Sequence, residues 1–150
     1  MTEFSEMTVK DIRDGVTKGD FTAQEVTTHF NTRVADASEL NAFIVTTPEQ
    51  ALEQAKAVDA RRAAGETLGN MAGVPIGMKD LFATQGVQTT AASHILEGFK
   101  PEYESTVSGK LWDAGCTMLG KLNLDQFAMG SSNETSFFGN VINPWRREGD

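Results

Sequence analysis

The sequence is poor in the residues that make cross-links and metal sites. It contains one cysteine, Cys116, so no disulfide can form within the chain. Cys116 lies in the apolar run 115–119, where a small buried side chain is expected rather than a nucleophile or a ligand. The two histidines, His29 and His94, have no metal-ligand spacing with it. We therefore predict no metal on this chain.

Long apolar runs and excess positive charge are also missing. No stretch has the length of a membrane span, and the first six residues lack the basic start and apolar core of a signal peptide. The expected location is the cytoplasm, with no membrane partner. The formal net charge is −8 at pH 7. Direct nucleic-acid binding is not expected, because phosphate contacts require a basic face.

Before residue 73 the sequence predicts an amino-terminal helical segment, 1–72. Three helices are expected, each starting at a capping box, in which a threonine and an acidic or amide side chain satisfy free N–H groups at the helix start. The three pairs are Thr8 with Asp11, Thr22 with Glu25, and Thr47 with Gln50. The apolar stripes that follow are narrow, which indicates helices on the surface of a larger body.

After residue 73 the pattern changes to alternating strands and helices. Strands are predicted over 74–81 and 116–120, and a helix over 105–114 with Val107 and Leu111 facing inward. Residues 115–121 have the glycine and lysine spacing of a phosphate-binding loop, but Leu122 replaces the required Ser or Thr, so no nucleotide is expected. The fold class is therefore α/β, with its α/β part over residues 73–150.

Lys79 is the residue of the sequence that most needs explaining. It lies in the apolar segment 73–81, which is punctuated by glycine and proline. Burial there would disfavour the ammonium and lower the pKa of the lysine, making it a general base. The alternative is a lysine at a strand end whose head reaches water or a carboxylate. If the segment is a strand, Asp80 faces the opposite side and need not neutralise Lys79.

Five segments, read in order, resemble the amidase signature family. They are residues 73–81, the Thr-Thr-Ala-Ala-Ser run 89–93, the segment 120–134, the Gly-Asn pair 139–140, and the Asn-Pro-Trp motif 143–145. The resemblance implies a mixed sheet flanked by helices, of which 73–150 is the first, incomplete part, and a Ser-cis-Ser-Lys triad, in which Lys79 matches the lysine. The two serines would follow the Asn-Pro-Trp motif, beyond Asp150. Ser131 and Ser132 belong to a different motif and do not replace them.

The run 125–132 is most similar to the glutamyl-tRNA(Gln) amidotransferase branch of the family. The resemblance then implies the glutaminase component, or A subunit, which supplies ammonia for converting Glu-tRNA(Gln) to Gln-tRNA(Gln). The implied partners are the B and C subunits, with glutamine as the substrate. The B subunit would use ATP and Mg²⁺, and tRNA would be held elsewhere in the complex. Without the two serines, residues 1–150 alone are expected to be inactive.

The small residues near position 130 are candidates for the substrate site. Small hydroxyl residues and exposed backbone can direct hydrogen bonds to a polar amide, although the same residues also dominate turns. The resemblance places this loop beside the glutamine pocket, which makes Met129, Gly130, Ser131 and Ser132 the candidates. Two other functions remain open: a free-standing amidase of the same family, and a non-catalytic folding or interaction module.

Overall fold

Four α-helices and three β-strands make up the regular structure of residues 3–145, the part of the chain that the computed structural model describes. The helices are α1 (Val9–Lys18), α2 (Ala23–Asp36), α3 (Pro48–Ala63) and α4 (Thr106–Asp113). The strands are β1 (Phe43–Thr46), β2 (Pro75–Lys79) and β3 (Thr117–Leu122). Within these residues, none of the helices combines the length and the apolar character needed to cross a membrane.

The three strands form one mixed sheet in the order β1-β3-β2. The central strand β3 is parallel to β2 and antiparallel to β1. The predicted strands 74–81 and 116–120 correspond to β2 and β3, and the predicted helix 105–114 corresponds to α4. The sequence did not indicate β1, which is only four residues long. A mixed sheet with helices packed on it confirms the predicted α/β class.

Two of the three predicted capping boxes are present. Thr8 and Thr22 each accept a hydrogen bond from the backbone N–H three residues later, and the acidic side chain there accepts one in return. The third prediction is wrong, since Thr47 makes no side-chain cap. Its hydroxyl donates instead to the carbonyl oxygen of Met118, at 2.8 Å. Because the Thr47 hydroxyl bonds to β3, it does not cap the start of α3.

Two apolar clusters hold these elements together. The larger one joins the first three helices to the segment before β2, and α2 and α3 also pack against β3. Its buried members are Phe4, Ile12, Val16, Ala23, Val26, Ala55, Val58, Ala72 and Val74. This cluster uses residues on both sides of position 72. The predicted division into two segments stays a prediction.

The smaller cluster lies between β2, β3 and α4. Met78 and Met118 are its strand residues, and Leu111 packs against them from α4. The prediction that Val107 faces inward is wrong, because its side chain is 47% exposed. Ser108 is buried instead, and its hydroxyl donates a hydrogen bond to the Glu104 carboxylate.

A bulge in β3 sets the direction of its last side chains. The register pairs Ile76 with Met118 but Gly77 with Gly120, so β3 contains one residue more than β2 at this point. In a regular strand, residues three apart point to opposite faces. The extra residue places Met118 and Lys121 on the same face.

Candidate active site

Lys79 is the last residue of β2, and its side chain is exposed. Its register partner is Leu122 at the end of β3. The Leu122 side chain lies against Gly77, where an added Cβ would come within 2.7 Å of it. The described residues thus do not bury Lys79, and its predicted role as a general base stays a prediction. Residues 3–145 leave this end of the sheet face uncovered, so they do not desolvate the ammonium.

Asp80, the next residue, is fully buried and faces away from Lys79, as the sequence predicted. Its backbone N–H donates to the Leu122 carbonyl at 3.0 Å, and its carbonyl accepts from the Ala91 N–H at 3.0 Å. Its carboxylate Oδ2 accepts from the Thr90 N–H at 2.9 Å and from the Thr90 hydroxyl at 2.5 Å. These bonds fix the backbone that carries Lys79.

The buried lysine of this region is Lys121, which is inaccessible to solvent. Its Nζ donates to the Phe82 carbonyl at 2.8 Å and to the hydroxyls of Thr84 and Thr89 at 3.1 and 2.7 Å. The Asp80 Oδ1 lies 3.5 Å from Nζ. Burial lowers the pKa of Lys121, and the Asp80 carboxylate opposes that shift. Lys121 lies in the rejected phosphate loop and in the family segment 120–134, and it directly continues the predicted apolar strand 116–120, yet the sequence indicated no role of its own for it.

The loops that follow β2 and β3 are joined by residues whose backbone is in the left-handed conformation. Ala91 and Ala92 have φ angles of 50° and 55°, and Phe127 and Ala128 have φ angles of 53° and 57°. Residues with side chains rarely adopt this left-handed region, and such conformations occur preferentially at functional sites. The Ala91 carbonyl accepts from the Phe127 N–H at 2.9 Å, so one strained pair contacts the other.

Ser93 reinforces this connection between the two loops. Its buried hydroxyl oxygen lies 2.6 Å from the amide nitrogen of the Gln126 side chain, which donates to it. The neighbouring His94 is turned away to the surface. Its Nδ1 lies 2.7 Å from Glu97, and its ring stacks on Phe137. Ser93 and His94 therefore form no catalytic pair.

The candidate pocket residues lie in a turn that Asp125 organises. Its carboxylate accepts from the backbone N–H groups of Ser132 and Asn133, at 3.0 and 2.8 Å, and from both donors of Thr135. The Asn133 N–H is the main reason that the pKa of Asp125 is lowered. Gly130 lies so close that an added Cβ would be 2.5 Å from the Asp125 carboxyl carbon. The turn interpretation is thus confirmed as a description of the backbone.

The turn also presents its candidate residues outward. Met129, Gly130, Ser131 and Ser132 are all exposed, with Met129 80% exposed. They follow β3, just as Lys79 ends β2, and β2 and β3 are parallel neighbours. Ligands of α/β sheets bind beyond the carboxyl ends of such strands. Backbone hydrogen bonds from Phe127 to Ala91 and from Ala91 to Asp80 connect the loop that leads to the segment 129–132 with the residue after Lys79. The predicted roles of Lys79 and of the segment stay predictions.

Cys116, which the sequence predicted to be a small buried residue rather than a nucleophile or a ligand, lies outside this end of the sheet. It is 2% exposed, and burial raises the pKa of its thiol to about 11. A thiol with so high a pKa is a poor nucleophile at neutral pH. The prediction of a small buried hydrophobic residue is confirmed. Among the described residues, no group of three His, Cys, Asp or Glu side chains is placed to hold a metal ion.

Comparison with known proteins gives a consistent assignment. The family model described as Amidase matches residues 25–149. The chain is 74% identical to the glutamyl-tRNA(Gln) amidotransferase A subunit of Novosphingobium aromaticivorans, over 100% of this chain and 31% of that protein. It is 72% identical to the corresponding A subunit of Sphingopyxis alaskensis, over 98% of this chain and 30% of that protein.

A solved structure agrees with these sequence relatives. The native peptide amidase from Stenotrophomonas maltophilia superposes with a TM-score of 0.86 at 30% identity, over 96% of this chain and 31% of that one. The chain thus spans 31% of the length of the first of these relatives. The matched model covers most of the chain, and the fold is that of the amidase structure. The chain belongs to the amidase family.

Proposed function

We propose that this chain is the amino-terminal part of the glutaminase component, the A subunit, of a glutamyl-tRNA(Gln) amidotransferase. The observation that supports this most is the edge of the sheet where β2 and β3 end. Lys79, whose motif matches the family lysine, ends β2 there, and the loop that carries the segment 129–132, whose motif is closest to the amidotransferase branch, follows β3. The similarity to named A subunits over the whole chain supports the same assignment.

In the proposed reaction, Lys79 is the general base for a serine nucleophile. The serine oxygen forms a bond to the side-chain amide carbon of glutamine, and its proton passes through the bridging serine to the neutral amine of Lys79. The C–N bond then breaks, and the departing nitrogen takes the proton and leaves as ammonia. Water hydrolyses the resulting acyl-enzyme to glutamate. Because residues 3–145 leave Lys79 exposed, the desolvation that keeps its amine neutral would come from the rest of the protein.

The partners and cofactors belong to this proposal. The B and C subunits would complete the assembly in the cytoplasm, and the B subunit would use ATP and Mg²⁺ to activate glutamyl-tRNA for the ammonia produced here. No metal or nucleotide is proposed on this chain. The negative charge of the chain, −8, supports the view that tRNA is held elsewhere in the complex.

A free-standing amidase is the second candidate, and the similarity to a peptide amidase favours it. The two functions differ in substrate and in partner dependence. The protein encoded by the complete reading frame is purified with and without the B and C subunits. If the first candidate is right, release of ammonia from glutamine and formation of Gln-tRNA(Gln) should both be seen only with the complex. Hydrolysis of peptide amides, without hydrolysis of glutamine, would establish the second candidate instead.

A further inference from the structure

The connection between β2 and α4 is long and has almost no regular structure. It covers residues 80–105, and its only helical turn is the short segment His94–Leu96. Connections longer than about 12–15 residues without secondary structure are uncommon in compact domains and are usually functional. Lys121 reaches into this connection from β3 and contacts three of its residues, Phe82, Thr84 and Thr89.

Hydrogen-bond counting favours the charged form of Lys121. The Thr84 hydroxyl is placed to donate to the Phe82 carbonyl, and the Thr89 hydroxyl to the Val87 carbonyl. With their protons placed in this way, both hydroxyls act as acceptors towards Nζ, as the Phe82 carbonyl must. A neutral amine has two N–H donors and an ammonium has three. The three contacts of Nζ match the donors of an ammonium, and the Asp80 carboxylate stabilises that form against the effect of burial.

Asp80 is the counter-ion of this ammonium. Both residues are inaccessible to solvent, and Nζ lies 3.5 Å from Oδ1 of Asp80. Within the described residues this oxygen has no hydrogen-bond partner of its own. A buried carboxylate without a nearby cation is strongly unfavourable. The position of Asp80, one residue after Lys79, thus depends on the charge of Lys121.

Asp80 also connects Lys121 to the loop after β3. Its carboxylate and its carbonyl hold Thr90 and Ala91, as described above. The Ala91 carbonyl then accepts from Phe127, and the Ala92 carbonyl accepts from Phe137 at 3.0 Å. The two donors, Phe127 and Phe137, flank the segment 129–132. The ion pair between Lys121 and Asp80, together with the hydrogen bonds that Asp80 and Ala91 make, therefore connects Lys121 to both halves of the candidate site.

We propose that Lys121 is a positioning residue of the amidase site. Its buried ammonium, paired with Asp80, fixes the residue that follows Lys79 and the loop that supports the segment 129–132. Lys121 contacts neither substrate nor reacting atoms in this scheme, and it acts only through Asp80 and the 80–105 connection. This inference rests on the proposed function, since it concerns the geometry of the same site.

The test uses four variants of the complete protein in its complex. Lys121→Met removes the ammonium, Asp80→Asn removes the carboxylate charge, and the double variant removes both. Lys110→Met is the matched control, because Lys110 is an exposed lysine on α4. The measurements are kcat/KM for glutamine, the melting temperature, and hydrogen exchange of peptides covering 87–93, 125–137 and, for reference, α1.

We expect kcat/KM to fall about 10²-fold in both single variants, the loss that a misplacement of about 1 Å can cause. In the double variant the melting temperature should recover, since no unpaired charge remains buried, but kcat/KM should stay low because the connection has lost its anchor. Exchange should accelerate in 87–93 and 125–137 and stay unchanged in α1. Lys110→Met should match the wild type in every measurement.

Two outcomes would overturn the inference. If kcat/KM recovers together with the melting temperature, Lys121 serves stability alone. If exchange in both loops is unchanged in Lys121→Met, the proposed connection does not exist. The exchange measurement also separates this inference from the proposed function. A wild-type complex that fails to hydrolyse glutamine refutes the function. Hydrogen exchange in the two loops then still tests whether Lys121 positions them.

Discussion

Replacing Lys79 with arginine separates catalysis from stability more cleanly than any other change in this chain. Arginine keeps the positive charge and much of the length, but it cannot lose its proton in a protein. Lys79 is exposed at the end of β2. Surface substitutions of this kind change the free energy of unfolding by no more than about 0.5 kcal/mol. The folded state of Lys79→Arg should therefore be unaffected.

The effect on glutamine hydrolysis should be large. A positioned general base contributes a rate factor of about 10²–10⁴, and arginine supplies none of it. Lys79→Ala should lose the same factor, because it also lacks the amine. For comparison, breaking the buried Lys121–Asp80 pair by Lys121→Met should cost about 3–5 kcal/mol of stability. Substitution of the exposed Lys79 should lower the rate alone, whereas substitution of the buried Lys121 should lower both the rate and the stability.

The assay is ammonia release from glutamine by the complete complex, with thermal unfolding measured on the same preparations. Gln-tRNA(Gln) formation from added ammonium salts is the internal control, since the B subunit would perform it without the glutaminase site. We expect this activity to survive in Lys79→Arg and Lys79→Ala. Near-normal glutaminase rates in Lys79→Arg would show that Lys79 is structural, and the proposed chemistry would have to be withdrawn.

Three further predictions concern the segment after β3 and the chain alone. Gly130→Ala should raise KM for glutamine and lower the melting temperature, because the added Cβ meets the buried Asp125 carboxyl and displaces it from its hydrogen bonds to the turn; an unchanged KM would remove Gly130 from the pocket. The lowered pKa of Asp125 means that its stabilising effect on the turn is present above its unfolded value, about 3.9, and is lost as the pH falls through the lower folded value. The amide resonances of Ser132 and Asn133 should report that titration, and Asp125→Asn should abolish it. Purified 1–150 should release no ammonia from glutamine; Lys79-dependent release would contradict the assignment of both serines to a later segment.

Local features of the sequence determined the starts of the helices. A capping box needs only residues three positions apart, so Thr8 and Thr22 were predicted correctly from their neighbours. Thr47 had an equivalent pattern, but its hydroxyl bonds to β3, a strand about seventy positions away, and the local rule failed. The same limit explains why β1 was missed, since four residues give too short a pattern and its pairing with β3 supplies the stabilisation.

The tertiary structure alone decided which lysine is buried. The sequence contains two lysines in apolar, strand-forming segments, and composition favours neither of them. Lys79 ends β2 on a face that residues 3–145 leave uncovered, whereas the bulge in β3 turns Lys121 towards the 80–105 connection and Asp80. Side-chain direction within a strand follows from alternation, but burial depends on the strand register and on what packs above it. Those are properties of strand pairing between distant segments, and no window of the sequence contains them.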